Sequence, residues 1–330
     1  MARDPQSPVL QASGLSVEFV GQTGHIAVVR DVELTLRPDE TLAIVGESGS
    51  GKTVTLLAIL GLHPPTRSCV VATTLRVCGV DILTAKPKQL QDLRGNRAAI
   101  VWQDPLTALN PYLTIGTQLA EVLVIHKQFS KADALDQAAL LLGQVGLKDA
   151  GSILRQYPHE MSGGMRQRIG VAMALLCQPE LLLADEPTTA LDVTIQAQVL
   201  QVLADQRART KLSLLLVTHD LGVVAALADR VAVMYGGQIV EQGTATAIFE
   251  DPRHPYTQAL LASLPARQKR HGRLASLPGL APPPQECLAG CAFAPRCAQA
   301  VAACRQFSPQ LRAFASDRAV RCTVAWEGIG

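Results

Sequence analysis

The sequence predicts an α/β fold with a largely parallel sheet, and three observations carry that expectation. Short apolar runs at 42–45, 181–184 and 212–218 have strand length and suit burial on both faces. Stretches with helix-like apolar spacing lie between them, at 52–60, 119–124 and 134–145; strands alternating with helices indicate α/β architecture. A glycine-rich loop, 46–51, stands at the first strand-to-helix join. The chain has 330 residues, and at roughly 100–200 residues per domain two domains are expected.

Composition narrows the class. Hydrophobic residues make up 48% and charged residues 18%, against about 25% charged in an average soluble chain. With a mean hydropathy of +0.19, a mainly disordered chain is excluded. The formal net charge of +2 gives no electrostatic case for nucleic acid as a partner. No apolar run approaches the ~18 residues that span a bilayer. The polar start, with Pro5 and Pro8, lacks the apolar core of a secretory signal. A cytoplasmic chain is expected, attached to membrane only through a partner.

The elements follow in order. The run 42–45, the loop and the helical pattern from Lys52 form a strand–loop–helix unit, which Pro64-Pro65 is expected to stop. From about 104 to 160 the pattern is helical, and the buried strands at 181–184 and 212–218 follow. The runs 231–235 and 238–241 flank Gly236-Gly237 as a hairpin. After Gly243 the composition shifts: Pro265, Pro278 and Pro282-Pro283-Pro284 mark a linker to a cysteine-rich tail. There is no internal repeat. Of 8 cysteines, Cys287, Cys291, Cys297, Cys304 and Cys322 lie in that tail. Cys69, Cys78 and Cys177 are scattered and expected to be buried small hydrophobes.

Three motifs carry chemistry. Gly46-Glu47-Ser48-Gly49-Ser50-Gly51-Lys52-Thr53 matches the phosphate-binding loop in full. Its glycines let several N–H groups face one anion, and the following helix adds its positive end. Lys52 would reach the β- and γ-phosphates, and the Thr53 hydroxyl would ligate Mg²⁺. A chance match in a chain this long is on the order of one in a hundred. Next, the run 181–184 ends in Asp185 and Glu186. Asp185 can hold a magnesium water shell, and Glu186 can polarise an attacking water as general base. Alone, acids ending a buried strand are common. Finally, Ser162-Gly163-Gly164 opens a helical stretch, a second anion cradle whose bland alternative is an ordinary cap.

In this order the motifs resemble the ATP-binding subunits of ABC transporters. Gln103, in Trp102-Gln103-Asp104-Pro105, is similar to the family's Q-loop glutamine. Ala190-Leu191-Asp192 is similar to the D-loop, and His219, in Val217-Thr218-His219-Asp220, to the switch histidine. Phe19 stands where the family places an aromatic that stacks on adenine. The resemblance runs from Leu10 to about Phe249. It implies an ABC nucleotide-binding domain over 1–250, with a helical subdomain inserted at about 104–165, and an extension over 251–330. The stretch 103–111, Met165 in place of the more common Gln, and His254-Pro255-Tyr256-Thr257 further resemble the group importing dipeptides, oligopeptides and nickel.

The resemblance implies an ATPase that powers solute import, with peptides ahead of nickel or a metallophore. ATP is held between two chains, the phosphate loop of one facing Ser162-Gly163-Gly164 of the other. Lys52 and Mg²⁺ neutralise phosphate charge, Gln103 joins Thr53 and Asp185 at the metal, Glu186 orients water and His219 contacts the γ-phosphate. Implied partners are a second, similar ATPase subunit in a heterodimer, two transmembrane permease subunits and a periplasmic or extracellular solute-binding protein, at the cytoplasmic face of the inner membrane. A DNA-directed ABC-type ATPase would need long coiled-coil insertions or a basic surface. A non-hydrolysing regulatory subunit would not need Glu186 and His219.

Cys291, Cys297, Cys304 and Cys322 lack the C-x2-C spacing of a zinc ribbon. Soft thiolates suit zinc or iron–sulfur, and four suit [4Fe–4S]; similar tails in some peptide-importer ATPases imply a [4Fe–4S] cluster. Free thiols are the alternative, and Cys287 is the spare. The cluster would lie outside every nucleotide motif, and phosphoryl transfer needs no redox step, so a structural role for it is expected.

Overall fold

A computed structural model describes residues 7–21, 24–104, 108–188, 192–264, 279–284, 290–315 and 317–327. Pro265, Pro278, Cys287, Ala190, Leu191 and residues 105–107 of the expected motifs and linker lie outside the described residues. Cα packing divides the chain into two compact units.

The first unit comprises Met1–Gln11, Thr35–Glu40 and Arg76–Leu216. Strands Ala98–Val101 and Leu181–Asp185 pair in parallel, Ala98 opposite Leu181 through Val101 opposite Ala184. Every residue of Leu181–Asp185 is buried, so the strand reads as a continuous apolar run rather than an alternation. The expected helical region resolves into Ile115–Lys127, Lys131–Gln144 and Ala150–Ile153, followed by Gly163–Leu175. Local chemistry sets where they start. The hydroxyls of Thr114, Ser130 and Ser162 accept the N–H groups of Thr117, Asp133 and Met165, satisfying donors the first turn leaves open. Ile115, Leu119, Ala120 and Leu123 bury one face of the first helix, and Ala134, Ala138 and Leu142 one face of the second.

The second unit comprises Ala12–Leu34, Thr41–Leu75 and Val217–Gly330. Thr41–Val45 lies parallel to Arg230–Tyr235, which forms the expected hairpin with Gln238–Thr244, bulged at Val233/Met234. Arg318–Val320 extends this sheet antiparallel on Gln238–Thr244, and Arg312–Ala315 follows outside it. A further sheet, with Leu10–Gly21 paired antiparallel to Ser68–Val71, has no counterpart in the sequence reading. The first of these strands mixes buried, intermediate and exposed positions, so no long apolar run announces it.

Two expectations need correction. The helix after the phosphate loop is Lys52–Ile59 and ends before the prolines. Gly61 (φ 63°) closes it: its N–H bonds Ala58 O and that of Leu62 bonds Leu57 O, each at 2.9 Å, a Schellman arrangement. Cys78 and Cys177 are buried as expected, but Cys69 is exposed. It occupies an outward position of Ser68–Val71, where side chains alternate between faces.

The extension shares core with the hairpin. Tyr256, Leu261, Ala292 and Phe293 pack in one buried cluster with Val45, Val231, Val233 and Tyr235. The fully buried Glu241 carboxylate, 0% exposed, accepts the N–H groups of Arg253 and His254 at 2.8 and 2.9 Å and Arg318 Nη2 at 3.1 Å. A buried charge so satisfied is tolerated; an unpaired one is not.

Candidate functional site

In the second unit, the loop from Gly46 leaves the buried end of Thr41–Val45. A Cβ at position 46 would run into the Met234 carbonyl oxygen, so the loop can lie this close to the neighbouring strand only with glycine. Gly49 (φ 79°) takes the left-handed turn. Lys52 is 6% exposed. Its Nζ donates to Gly46 O at 2.9 Å and Glu47 O at 3.0 Å, so the ammonium lies along the loop it serves. Ser48, Gly49 and Thr53 are exposed, while Ser50 and Gly51 are buried. Thr55 Oγ1 donates to Gly51 O at 3.0 Å and locks the first helical turn to the loop.

Glu47 is tied by both its main chain and its carboxylate. Its N–H donates to Tyr256 Oη at 3.0 Å. Arg296 donates to its carboxylate through Nη1 at 2.7 Å and Nη2 at 3.0 Å, and through Nη1 to Tyr235 Oη at 3.1 Å. The bond to Glu47 holds the Arg296 guanidinium charged. Burial pushes the Tyr256 hydroxyl pKa up, keeping it neutral. Burial also drives His254 down to about 3; its Nδ1 accepts the Tyr256 N–H at 3.0 Å, starting the Pro255–Ala262 helix. A segment outside the nucleotide motifs in sequence therefore meets the phosphate loop in the fold. Phe293 packs on Tyr235 and Tyr256 with centroids at 5.3 and 5.4 Å, which brings Arg296 onto the loop.

Phe19 belongs to the same unit. Its ring meets His63 edge-on at 5.4 Å, and His63 Nε2 lies 2.8 Å from Val54 O in the helix the loop opens. His219 is exposed at the end of Ser213–Thr218.

In the first unit, Asp185 is 2% exposed at the tip of its strand. Glu186 follows in the left-handed region, φ 46°, an uncommon backbone for a non-glycine residue and one often found at functional sites. Gln103 Nε2 donates to Glu186 Oε2 at 2.9 Å, so the structure brings these two expected residues together. Gln167, 2% exposed on the helix that Ser162 caps, donates to Pro187 O at 2.8 Å and fixes the backbone beyond the carboxylate. Ser162 and Gly163 are exposed, and Gly164 is partly so. Asp192 Oδ1 accepts the Ile195 N–H at 3.0 Å and caps Val193–Thr210. Lys52 and Glu186 fall in different units.

The four tail cysteines share the second unit. The Cys291 N–H donates to Cys304 O at 2.7 Å. Burial raises the thiol pKa of Cys291 to about 11, and those of Cys297 and Cys322 also rise. Among the described residues no three His, Cys, Asp or Glu side chains form a group that could hold a metal ion, so the iron–sulfur expectation finds no preformed ligand set.

Sequence reasoning missed Arg296, Tyr235 and Tyr256 as companions of the loop. The only available signal was the His254-Pro255-Tyr256-Thr257 stretch, which marks a subgroup without assigning a role. Among the described residues, no helix is long and apolar enough to cross a membrane.

Comparison with known proteins gives a consistent picture. Residues 29–189 match the ABC transporter model, and 240–304 match the oligopeptide/dipeptide transporter C-terminal region. The chain is 44% identical to the oligopeptide transport ATP-binding protein AppD of Bacillus subtilis, over 96% of each. It is 45% identical to the dipeptide transport ATP-binding protein DppD of the same organism, over 95% of this chain and 94% of the relative. Among solved structures it is similar to the dimeric post-hydrolysis ATP-binding cassette MJ0796 bound to ADP and Pi. There the TM-score is 0.63 at 25% identity, covering 72% of this chain and 98% of the other.

Proposed function

The chain belongs to the ABC transporter family of ATP-binding subunits, and from that premise we propose that it hydrolyses ATP to drive import of di- or oligopeptides through a membrane permease. One observation carries the peptide reading: a peptide-transporter C-terminal region follows the ATPase region in a single chain. We further propose a division near residue 250, with a helical subdomain at about 104–165, as the resemblance implies.

The residues divide the work. Backbone N–H groups of 46–53 bind the phosphates, Lys52 carries positive charge to the β- and γ-oxygens, and Phe19 stacks on the adenine. Glu186 takes the proton of the attacking water, with Gln103 setting its carboxylate. His219 contacts the γ-phosphate, and Ser162, Gly163, Gly164 and Asp192 serve the nucleotide held by a second chain. Magnesium, when bound, supplies charge neutralisation between phosphate oxygens, and Thr53, Asp185 and Gln103 offer the oxygen donors a hard cation takes.

The second chain is a similar ATPase subunit, the pair docks two permease subunits at the cytoplasmic face of the membrane, and a solute-binding protein delivers the peptide. The finer reading of Cys291, Cys297, Cys304 and Cys322 as [4Fe–4S] ligands rests on donor type and resemblance. Anaerobically purified protein should then be brown with about four iron per chain; colourless, iron-free protein overturns it. The transport reading is tested in proteoliposomes carrying permease, both ATPase subunits and binding protein. ATP-dependent uptake of labelled dipeptide is expected. Uptake of nickel without peptide would replace peptide as the solute.

A further inference from the structure

The phosphate loop contains one ionised side chain besides its lysine, and it has the wrong sign for a phosphate site. Glu47 follows Gly46 directly, and a free carboxylate there would repel a polyanion. The side chain is not free. Arg296 grips it with both Nη atoms, at 2.7 and 3.0 Å, the fork geometry that makes guanidinium–carboxylate pairs strong and directional. The arginine side chain is 7% exposed and the glutamate 27%, so solvent screens the pair only weakly.

The grip is built from the extension. Arg296 ends the Ala294–Arg296 turn, which lies between two of the cysteines. The Ala294 N–H donates to Cys291 O at 3.0 Å, and the Cys297 N–H reaches Ala294 O at 3.4 Å. Phe293, 2% exposed, fixes the turn against Tyr235 and Tyr256. Tyr235 Oη accepts from Arg296, and Tyr256 Oη accepts the Glu47 N–H. The Glu47 carbonyl in turn receives Lys52 Nζ at 3.0 Å. One residue of the loop is thereby held through its N–H, its carbonyl and its carboxylate, the last two contacts placing the phosphate lysine and cancelling the misplaced charge.

We infer that Arg296 is a positioning residue for ATP binding, through which the C-terminal extension neutralises Glu47 and sets the shape of the phosphate loop. The inference rests on the nucleotide-binding role of that loop. It differs from a simple structural staple in one respect: part of Arg296's effect passes through the charge of Glu47. Removing the arginine exposes the nucleotide to an unpaired carboxylate, and removing both charges relieves the repulsion.

The test uses the full-length chain and equilibrium titration with fluorescent ATP and ADP analogues. Arg296→Ala should weaken ATP binding about tenfold, within the range of ordinary site-to-site coupling. ADP binding should fall less, because ADP carries less charge. Arg296→Ala combined with Glu47→Gln should recover most of the lost ATP affinity, and Arg296→Lys, which keeps the charge and loses the fork, should fall between wild type and Arg296→Ala. Should Arg296→Ala fail to fold, Arg296→Lys and the double variant carry the comparison. Wild-type affinity in Arg296→Ala and Arg296→Lys overturns the inference; so does a double variant that folds yet binds no better than the single. Lys52→Ala separates the premise: unchanged ATP binding there would refute the nucleotide role of the loop, whatever the Arg296 variants do.

Discussion

Two helices of this protein open on glycine-rich turns, at Lys52 and at Gly163, and they are built differently. The first turn is tied down: its lysine is 6% exposed, and Tyr256 and Arg296 hold Glu47 by main chain and side chain. The second is tied from within its own helix, the Ser162 hydroxyl accepting the Met165 N–H at 3.3 Å and Arg168 Nε donating to Gly164 O at 3.3 Å, with Ser162 and Gly163 exposed. Both present the positive end of a helix. The first is tied by side chains of a distant segment, as expected of a site that binds by itself. The second suits a surface that completes a site supplied by another chain.

The contrast can be broken most forcefully at Glu186. Glu186→Gln should lower ATP turnover of the assembled transporter by roughly 10²–10⁴-fold, while ATP still binds, because the phosphate loop is untouched. Phosphate release and nucleotide titration on the same preparation measure both. Turnover near wild type would remove Glu186 from the chemistry. A smaller effect sharpens the comparison of the two turns directly. Lys52→Ala should weaken ATP binding to the isolated chain by about tenfold or more, as loss of a charge-assisted contact does. Ser162→Arg should leave that binding intact and stop turnover only in the assembly. If both variants weakened binding to the isolated chain alike, the second turn would not belong to a shared site.

The smallest effect concerns the support behind the first turn. His254 is buried beside Tyr256, with its pKa lowered to about 3 by burial, against about 6.5 in an unfolded chain. Between those values the unfolded chain takes up a proton that the folded chain refuses. Stability is therefore complete above about pH 6.5 and declines as the pH falls, by at most ~1.4 kcal/mol per unit. His254→Asn keeps an acceptor for the Tyr256 N–H and removes the titration. Wild type should lose more melting temperature than this variant between about pH 7.5 and about pH 5.5. Equal losses would show that acid attacks elsewhere.

What the sequence made legible was local. The phosphate loop, the run 181–185 and the hairpin at Gly236-Gly237 each declare themselves within about ten residues, through turn chemistry and period. The largest miss lies where distant segments decide. Arg296 and Glu47 are 249 positions apart, and an ion pair across that span leaves no periodic trace in either segment. The helix from Lys52 ends at Gly61 by a Schellman turn, a quieter signal than the conspicuous prolines beyond it. Cys69 faces outward because strand register, not hydrophobicity, sets its side. The Gln103–Glu186 bond joins two motifs each visible in sequence, but their contact is a product of folding alone.

Position 46 has a consequence for anyone who randomises this gene. A side chain there collides with a carbonyl oxygen of the adjoining strand, Met234 O, so its permitted alphabet is a single letter. Position 49 is open around its Cβ and restricted only by a φ of 79°, a torsion that asparagine or aspartate can visit at modest cost. A library would therefore return glycine alone at the first position and a short list at the second. The loop that looks uniformly glycine-rich in the text of the sequence would separate, by survival, into one site ruled by space and another ruled by rotation.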